Sequence, residues 1–162
     1  MKHILSGFFI LCIFYTTSFS QKKKLYDVNA NPVEQFNKAI ENAKLKNKHV
    51  MIQIGGNWCP WCYKFHDFYE NDTELDSLLK SNYIVINVNY NKKSANESFF
   101  KQLGYPQRFG FPVIVITDAD GKRLHTQNSW YLEDGKSSYD KKKFKSFLKN
   151  WTVEAVSDET YK

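Results

Sequence analysis

Two cysteines carry the chemistry this chain can do. The sequence holds three in all, and the stretch Trp58-Cys59-Pro60-Trp61-Cys62 brings two of them within three positions of each other. The third, Cys12, falls in a segment that reads as a cleaved leader. A small extracellular chain that uses disulfides as staples carries several pairs far apart in sequence. Closing a ring as short as Cys59–Cys62 restricts the unfolded chain very little, so its value to stability is small. A pair of that kind points to thiol–disulfide exchange. Three other uses stand beside this one. Half of a zinc site would need two further ligands, and the available histidines are His66, at i+4 from Cys62, and the scattered His49 and His125. Copper capture by the dithiol would have neither a methionine cluster nor a nearby histidine pair to support it. An inert structural disulfide is the third. We expect no metal ligands and no bound cofactor.

Exchange needs an accessible attacking thiol and a sheltered resolving one. The residues around the pair suggest how the chain supplies them. Val50-Met51-Ile52-Gln53-Ile54 reads as a buried strand, Gly55-Gly56-Asn57 as a turn, and Pro60 to Tyr69 as a helix with proline in its first turn. Cys59 then sits at a helix N-terminus. Unpaired backbone N–H groups and the macrodipole there favour an anion, lowering a thiol pKa from about 8.5 towards the range of about 3.5–7.5. Cys62 follows one turn later on the same side. His66 reads as a helix-surface or packing residue.

The flanking segments complete a mixed sheet. Asn31-Pro32-Val33-Glu34 has the form of a capping box opening a helix, with Val33, Phe36, Ile40 and Ala43 on its apolar face. Asp72 to Leu79 predicts a short helix with Leu75, Leu78 and Leu79 inward, and Tyr83 to Tyr90 a strand. Ser94-Ala95-Asn96-Glu97 has the form of a second capping box, for a helix that Gly104 ends. Val113 to Thr117 predicts a strand, joined through the turn Asp118-Ala119-Asp120-Gly121 to another at Lys122 to Thr126. Asp140 caps a last helix with Phe144, Phe147, Leu148 and Trp151 at helical spacing. Helices alternating with strands, then a closing hairpin, imply an α/β fold with a central mixed sheet and helices on both faces.

Residues 1–20 have the form of a secretory signal peptide: Lys2 and His3, an apolar run from Ile4 to Phe14, and Ser18-Phe19-Ser20 before the cleavage point. The apolar run is short for crossing a bilayer, so stable membrane insertion after cleavage is not expected. Bulky Leu11 before Cys12 argues against lipidation. The expected layout is signal peptide 1–20, N-terminal extension 21–30, catalytic domain 31–155 and tail 156–162, in a periplasmic or secreted protein. The formal charge of +6 is modest for 162 residues. The short runs Lys22 to Lys24 and Lys141 to Lys143 lack interleaved stacking aromatics or Arg/Gly context, and read as solvated charge, not a nucleic-acid surface.

Ile54-Gly55-Gly56-Asn57-Trp58-Cys59-Pro60-Trp61-Cys62 resembles the active-site segment of thioredoxin-like proteins. Gly110-Phe111-Pro112-Val113-Ile114-Val115-Ile116-Thr117-Asp118, about fifty residues on, resembles that family's cis-proline loop and the strand after it. The resemblance spans roughly Asn31 to Trp151. It implies the thioredoxin fold and a protein thiol–disulfide oxidoreductase, with Cys59 as nucleophile, Cys62 as resolving thiol and Pro112 as the cis residue facing them. Trp58, Pro60, Trp61, Phe111 and Pro112 would line the substrate mouth, with the Phe111 backbone pairing to an extended substrate. It also implies protein or peptide disulfides as substrates and a membrane protein as electron donor. Reduction is favoured over oxidation or isomerisation because neither a cation nor a histidine lies between the cysteines to stabilise the thiolate strongly. A client-binding chaperone or metallochaperone on the same fold is the non-enzymatic alternative.

Three departures from the family pattern stand out. Gln53 occupies the place of a buried aspartate that handles the resolving thiol's proton, leaving water, Asp67 or Lys64 for that task. Pro60-Trp61 replaces the Gly-Pro of cytosolic reductases and brings apolar bulk to the mouth. Gln127 to Tyr139 is longer and more polar than the usual last turn, and reads as a surface loop or as a lid or partner contact.

Overall fold

The computed structural model describes residues 24–92, 96–157 and 159; the leader expected at 1–20 and the capping residues Ser94 and Ala95 lie outside them. The first helix, α1 (Pro32–Lys46), starts where Asn31 Oδ1 accepts from the Val33 N–H and Pro32 fills the first turn. It ends on Asn47, in the left-handed conformation at φ 50°. Phe36, Ala39 and Ala43 bury its face. Val33, expected inward, is 40 % exposed, because the buried stripe runs through Pro32, Phe36, Ala39 and Ala43 and Val33 lies about 100° round the helix from Pro32.

Four strands form one sheet in the order β2-β1-β3-β4. The centre is β1 (His49–Gly55), buried along its whole length. It runs parallel to β2 (Tyr83–Asn89), with Gln53 opposite Asn87, and antiparallel to β3 (Val113–Thr117), with Ile54 opposite Val113. The edge strand β4 (Arg123–Asn128) pairs antiparallel with β3. Asp118 makes the turn between them: its Oδ1 accepts from the N–H groups of Asp120 and Lys122, and Gly121 takes φ 83°.

Strand side chains alternate between faces, and here the alternation sorts the core into two halves. Val50, Ile52 and Ile54, with Val113 and Val115, meet α1 and the short α4 (Glu97–Gln102) on one face. Met51, Ile114 and Ile116 meet α2 (Pro60–Glu70), α3 (Thr73–Asn82) and α5 (Lys141–Asn150) on the other. Leu75 and Leu79 are buried in α3, while Leu78 is half-buried. Asp72 caps α3 and Asp140 caps α5 through their carboxylates. Gly104, at φ 74°, follows the last turn of α4. Central mixed sheet, helices on both faces and closing hairpin are as the sequence predicts. Among the described residues no helix is long and apolar enough to cross a membrane.

The segment expected as a loop over 127–139 is more ordered than its polarity suggests. Gln127 and Asn128 extend β4, Ser129–Leu132 form a 3-10 turn capped by Asn128, and Glu133 bridges to Tyr139. Leu132 and Tyr139 are buried, and Lys64 of α2 donates to the Ser137 carbonyl at 2.6 Å. Two apolar anchors and this strap hold the segment to α2, which is the arrangement of a fixed wall and not of a free lid.

Candidate active site

Strand β1 delivers the chain into Gly55-Gly56-Asn57, and Cys59 is the N-cap of α2. The Cys59 N–H donates to the Gly56 carbonyl at 3.0 Å, and Pro60 opens the helix without needing an N–H partner. Cys59 and Cys62 form a disulfide across one turn, with their Cα atoms 5.3 Å apart. The Cys62 N–H points at Cys59 Sγ, 3.2 Å away. A helix-terminal N–H directed at sulfur is what lowers a thiol's pKa once the disulfide opens.

The asymmetry between the two sulfurs is smaller than the motif suggests. Cys59 is 5 % exposed and Cys62 fully buried. Trp58 is 59 % exposed, and Pro60 is exposed beside it. The Trp58 ring meets Phe111 edge-on at 5.2 Å, and Phe111 in turn lies 4.9 Å from Tyr90. Phe111 also packs on the cysteine cluster. The Phe111–Pro112 peptide bond is cis, and because Val113 pairs with Ile54 the register places this bend beside the turn that carries the cysteines. On the other side Trp61 stands edge-on to Tyr139 at 5.6 Å, with the Lys64 ammonium 4.4 Å from the centre of its ring.

Behind the pair lies a buried polar cluster that the motif does not announce. Gln53 is completely buried because β1 alternation turns it towards α2. Its Nε2 donates to the Tyr26 hydroxyl at 2.7 Å and to the Cys62 carbonyl at 3.1 Å. Its Oε1 accepts from the Tyr69 hydroxyl at 3.2 Å. Tyr26, also completely buried, comes from the stretch read as an N-terminal extension. Asn57 holds it by two hydrogen bonds, accepting from the Tyr26 N–H at 3.0 Å and donating to its carbonyl at 2.8 Å. Burial pushes the Tyr26 and Tyr69 hydroxyls well above the usual tyrosine value. The sequence offered one cue to Tyr26, a tyrosine among lysines and asparagines; nothing in its spacing ties it to Cys62, since the contact spans two elements.

The remaining titratable candidates face elsewhere. Lys64 is taken up by Ser137 and the Trp61 ring. The Asp67 carboxylate is half exposed and lies 3.8 Å from His66, whose Nε2 is 3.2 Å from Glu70. His66 thus lies between two carboxylates of its own helix and edge-on to Tyr69, in keeping with a packing role. His49, at the end of β1 away from the cysteine turn, donates from Nδ1 to the Trp151 carbonyl at 2.8 Å, and His125 stacks on Trp151 at 4.6 Å. No group of three metal-binding side chains occurs among the described residues.

Comparison with known proteins matches residues 36–129 to the family model of a thioredoxin-like domain. The chain is 26 % identical over 97 residues to the disulfide bond reductase DsbH of Chlamydia pneumoniae, an alignment covering 56 % of this chain and 58 % of that protein. The disulphide isomerase from Xylella fastidiosa Temecula1 superposes with a TM-score of 0.65 at 24 % identity, over 76 % of this chain and 94 % of that one. A thioredoxin from Thermus thermophilus superposes at 0.54 and 17 % identity, over 75 % of this chain and 86 % of its own. These two likenesses speak to the fold.

Proposed function

This chain belongs to the thioredoxin-like domain family, and we propose that within it the chain is an extracytoplasmic thiol–disulfide oxidoreductase that reduces protein disulfides. The observation that carries this reading is the Cys59–Cys62 disulfide at the N-cap of α2, with a helix N–H aimed at Cys59 Sγ. In the reduced enzyme the Cys59 thiolate attacks one sulfur of a substrate disulfide and expels the other as a thiolate. Cys62 then attacks Cys59 Sγ, the bond to substrate breaks, and the second substrate sulfur leaves. Two electrons pass to the substrate, and the protein is left as the disulfide described above. A donor dithiol must reduce it again; an extracytoplasmic reductase draws on a membrane protein for that purpose.

The substrate mouth is Trp58, Pro60, Trp61, Phe111 and Pro112. Phe111 packs on both the cysteine cluster and Trp58, so an extended peptide paired to its backbone would lie over Cys59. A hollow lined by Val28, Asn57, Trp58, Asn89 and Tyr90 adjoins this mouth. The reducing direction is supported by the absence of a charged or histidine residue between the cysteines and by the name of the Chlamydia pneumoniae relative. The extracytoplasmic location rests on the leader-like sequence of residues 1–20.

The test is insulin reduction driven by dithiothreitol, comparing wild type with Cys59→Ser and Cys62→Ser. Wild type should accelerate precipitation and both variants should fall to the uncatalysed rate. Equal behaviour of all three proteins would sink the redox reading and leave client binding through the Trp58 surface. A strongly negative reduction potential for the pair supports the reducing direction; a value at the oxidising end of the family overturns it.

A further inference from the structure

Resolution requires Cys62 to act as an anion although it is completely buried, and burial raises a thiol's pKa. Gln53 cannot relieve this. Both hydrogens of its amide are already given to the Tyr26 hydroxyl and the Cys62 carbonyl. The Tyr26 hydroxyl accepts one of them, and so still has its own proton to place. A Cβ on Gly55 would overlap Cys62 Sγ and lie 2.6 Å from that hydroxyl. Hydroxyl and sulfur therefore share one notch, which the missing Gly55 side chain keeps open. In the disulfide form no hydrogen bond joins them among the described residues. Reduction frees Cys62 Sγ and turns it from a weak acceptor into a charged one.

We infer that the Tyr26 hydroxyl donates a hydrogen bond to the Cys62 thiolate and thereby favours the anion that resolution needs. This deepens the proposed function and rests on Cys62 being the resolving thiol. Tyr26 keeps its proton throughout, because burial holds the phenol neutral. The Cys62 thiol loses its proton as the sulfur attacks Cys59 Sγ, and the departing substrate thiolate takes one up. The balance is Cys62–SH plus Cys59–S–S–R giving the Cys59–Cys62 disulfide plus R–SH, with no outside reductant. Tyr26 thus lowers the pKa of the sulfur but does not relay its proton. Asn57, two residues before Cys59, fixes its position through the paired hydrogen bonds with its backbone.

The test isolates the buried thiol. In Cys59→Ser protein, Cys62 is the sole thiol of the described region, and its ionisation follows from alkylation rate against pH. Tyr26→Phe in that background keeps the ring and deletes the donor. It should raise the Cys62 pKa by about one unit, a tenfold smaller thiolate fraction at neutral pH. Tyr69→Phe removes a hydroxyl from the same Gln53 network without touching the notch, and should leave that titration nearly unmoved. Unchanged Cys62 ionisation in Tyr26→Phe overturns the inference, and so does an equal shift from Tyr69→Phe, which would mark the network as merely structural. If the double variant does not fold, Tyr26→Phe alone is loaded at Cys59 with the aryl thiol of Ellman's reagent, and release by Cys62 is followed against pH. A profile displaced to higher pH with about tenfold slower release at neutrality supports the donor; a superimposable profile refutes it. Failure of wild type to reduce insulin would remove the proposed function, while the Cys62 titration still decides the role of Tyr26.

Discussion

On its open side the Cys59–Cys62 pair is framed by large apolar rings: Trp58 at 59 % exposed, with Phe111 and Tyr90 behind it and Trp61 against Tyr139. On its closed side lie Gln53, Tyr26 and Tyr69, hydrogen-bonded and completely or almost completely buried. The front can give way, since an exposed ring has room to swing. The back cannot, because each polar atom there depends on a partner and an unpaired one costs its full desolvation. A substrate surface benefits from the first property, and control of a buried sulfur's charge benefits from the second.

Exchanging each sulfur tests the division most severely. Cys62→Ser should accumulate mixed disulfides on Cys59 when offered substrate, visible on non-reducing gels, whereas Cys59→Ser should trap none. The reverse pattern would invert the assignment of front and back. Next in size, Gln53→Leu leaves the Tyr26 hydroxyl and the Cys62 carbonyl without their donor and the Tyr69 hydroxyl without its acceptor. A loss of about 3 kcal/mol in denaturant unfolding is expected, and a loss below about 1 kcal/mol would mean the back is not rigid. The two glycines then set front against back directly. In Gly55→Ala the new methyl meets Cys62 Sγ and the Tyr26 hydroxyl, both fixed, which should cost about 2 kcal/mol. In Gly56→Ala it meets the Trp58 indole, which can rotate into solvent, so the change should stay within about 0.5 kcal/mol. Equal costs would erase the contrast. Trp58→Ala should barely alter the melting temperature yet raise KM for a peptide disulfide about fivefold, the size of one lost aromatic contact.

The smallest effect near neutrality concerns alkali. The folded pKa values of Tyr26, Tyr69, Tyr83 and Tyr139 all lie above the ordinary 10.0, with burial the leading cause. The unfolded chain then releases these protons first, so stability should hold up to about pH 10 and fall above it. Tyr26→Phe should flatten that decline; an unchanged slope would show that the hydroxyl is not held neutral by the fold.

Legibility followed the range of the interactions. The N-cap at Asn31, the proline-led start of α2, the Asp118–Gly121 turn and the apolar runs of β1 and β3 depend on neighbours a few residues away, and their spacing announces them. Val33 misleads because periodicity marks a broad apolar face but not which edge of it the core covers, and the covered stripe runs through Pro32 and Phe36. The stretch 127–139 misleads in the opposite sense, since its polarity conceals two buried anchors, Leu132 and Tyr139.

The sequence by itself determined that two cysteines one helical turn apart sit at a strand-to-helix junction, because secondary structure and capping are local. Only the tertiary structure decided what surrounds them. Sheet pairing set the Phe111–Pro112 bend beside the cysteine turn, and strand alternation turned Gln53 inward. The side chain of Asn57 drew Tyr26 from the chain's early residues into the notch beside Gly55. Those contacts join segments about thirty residues apart, and hydrogen-bond partners at that distance are chosen by packing, which no local pattern encodes.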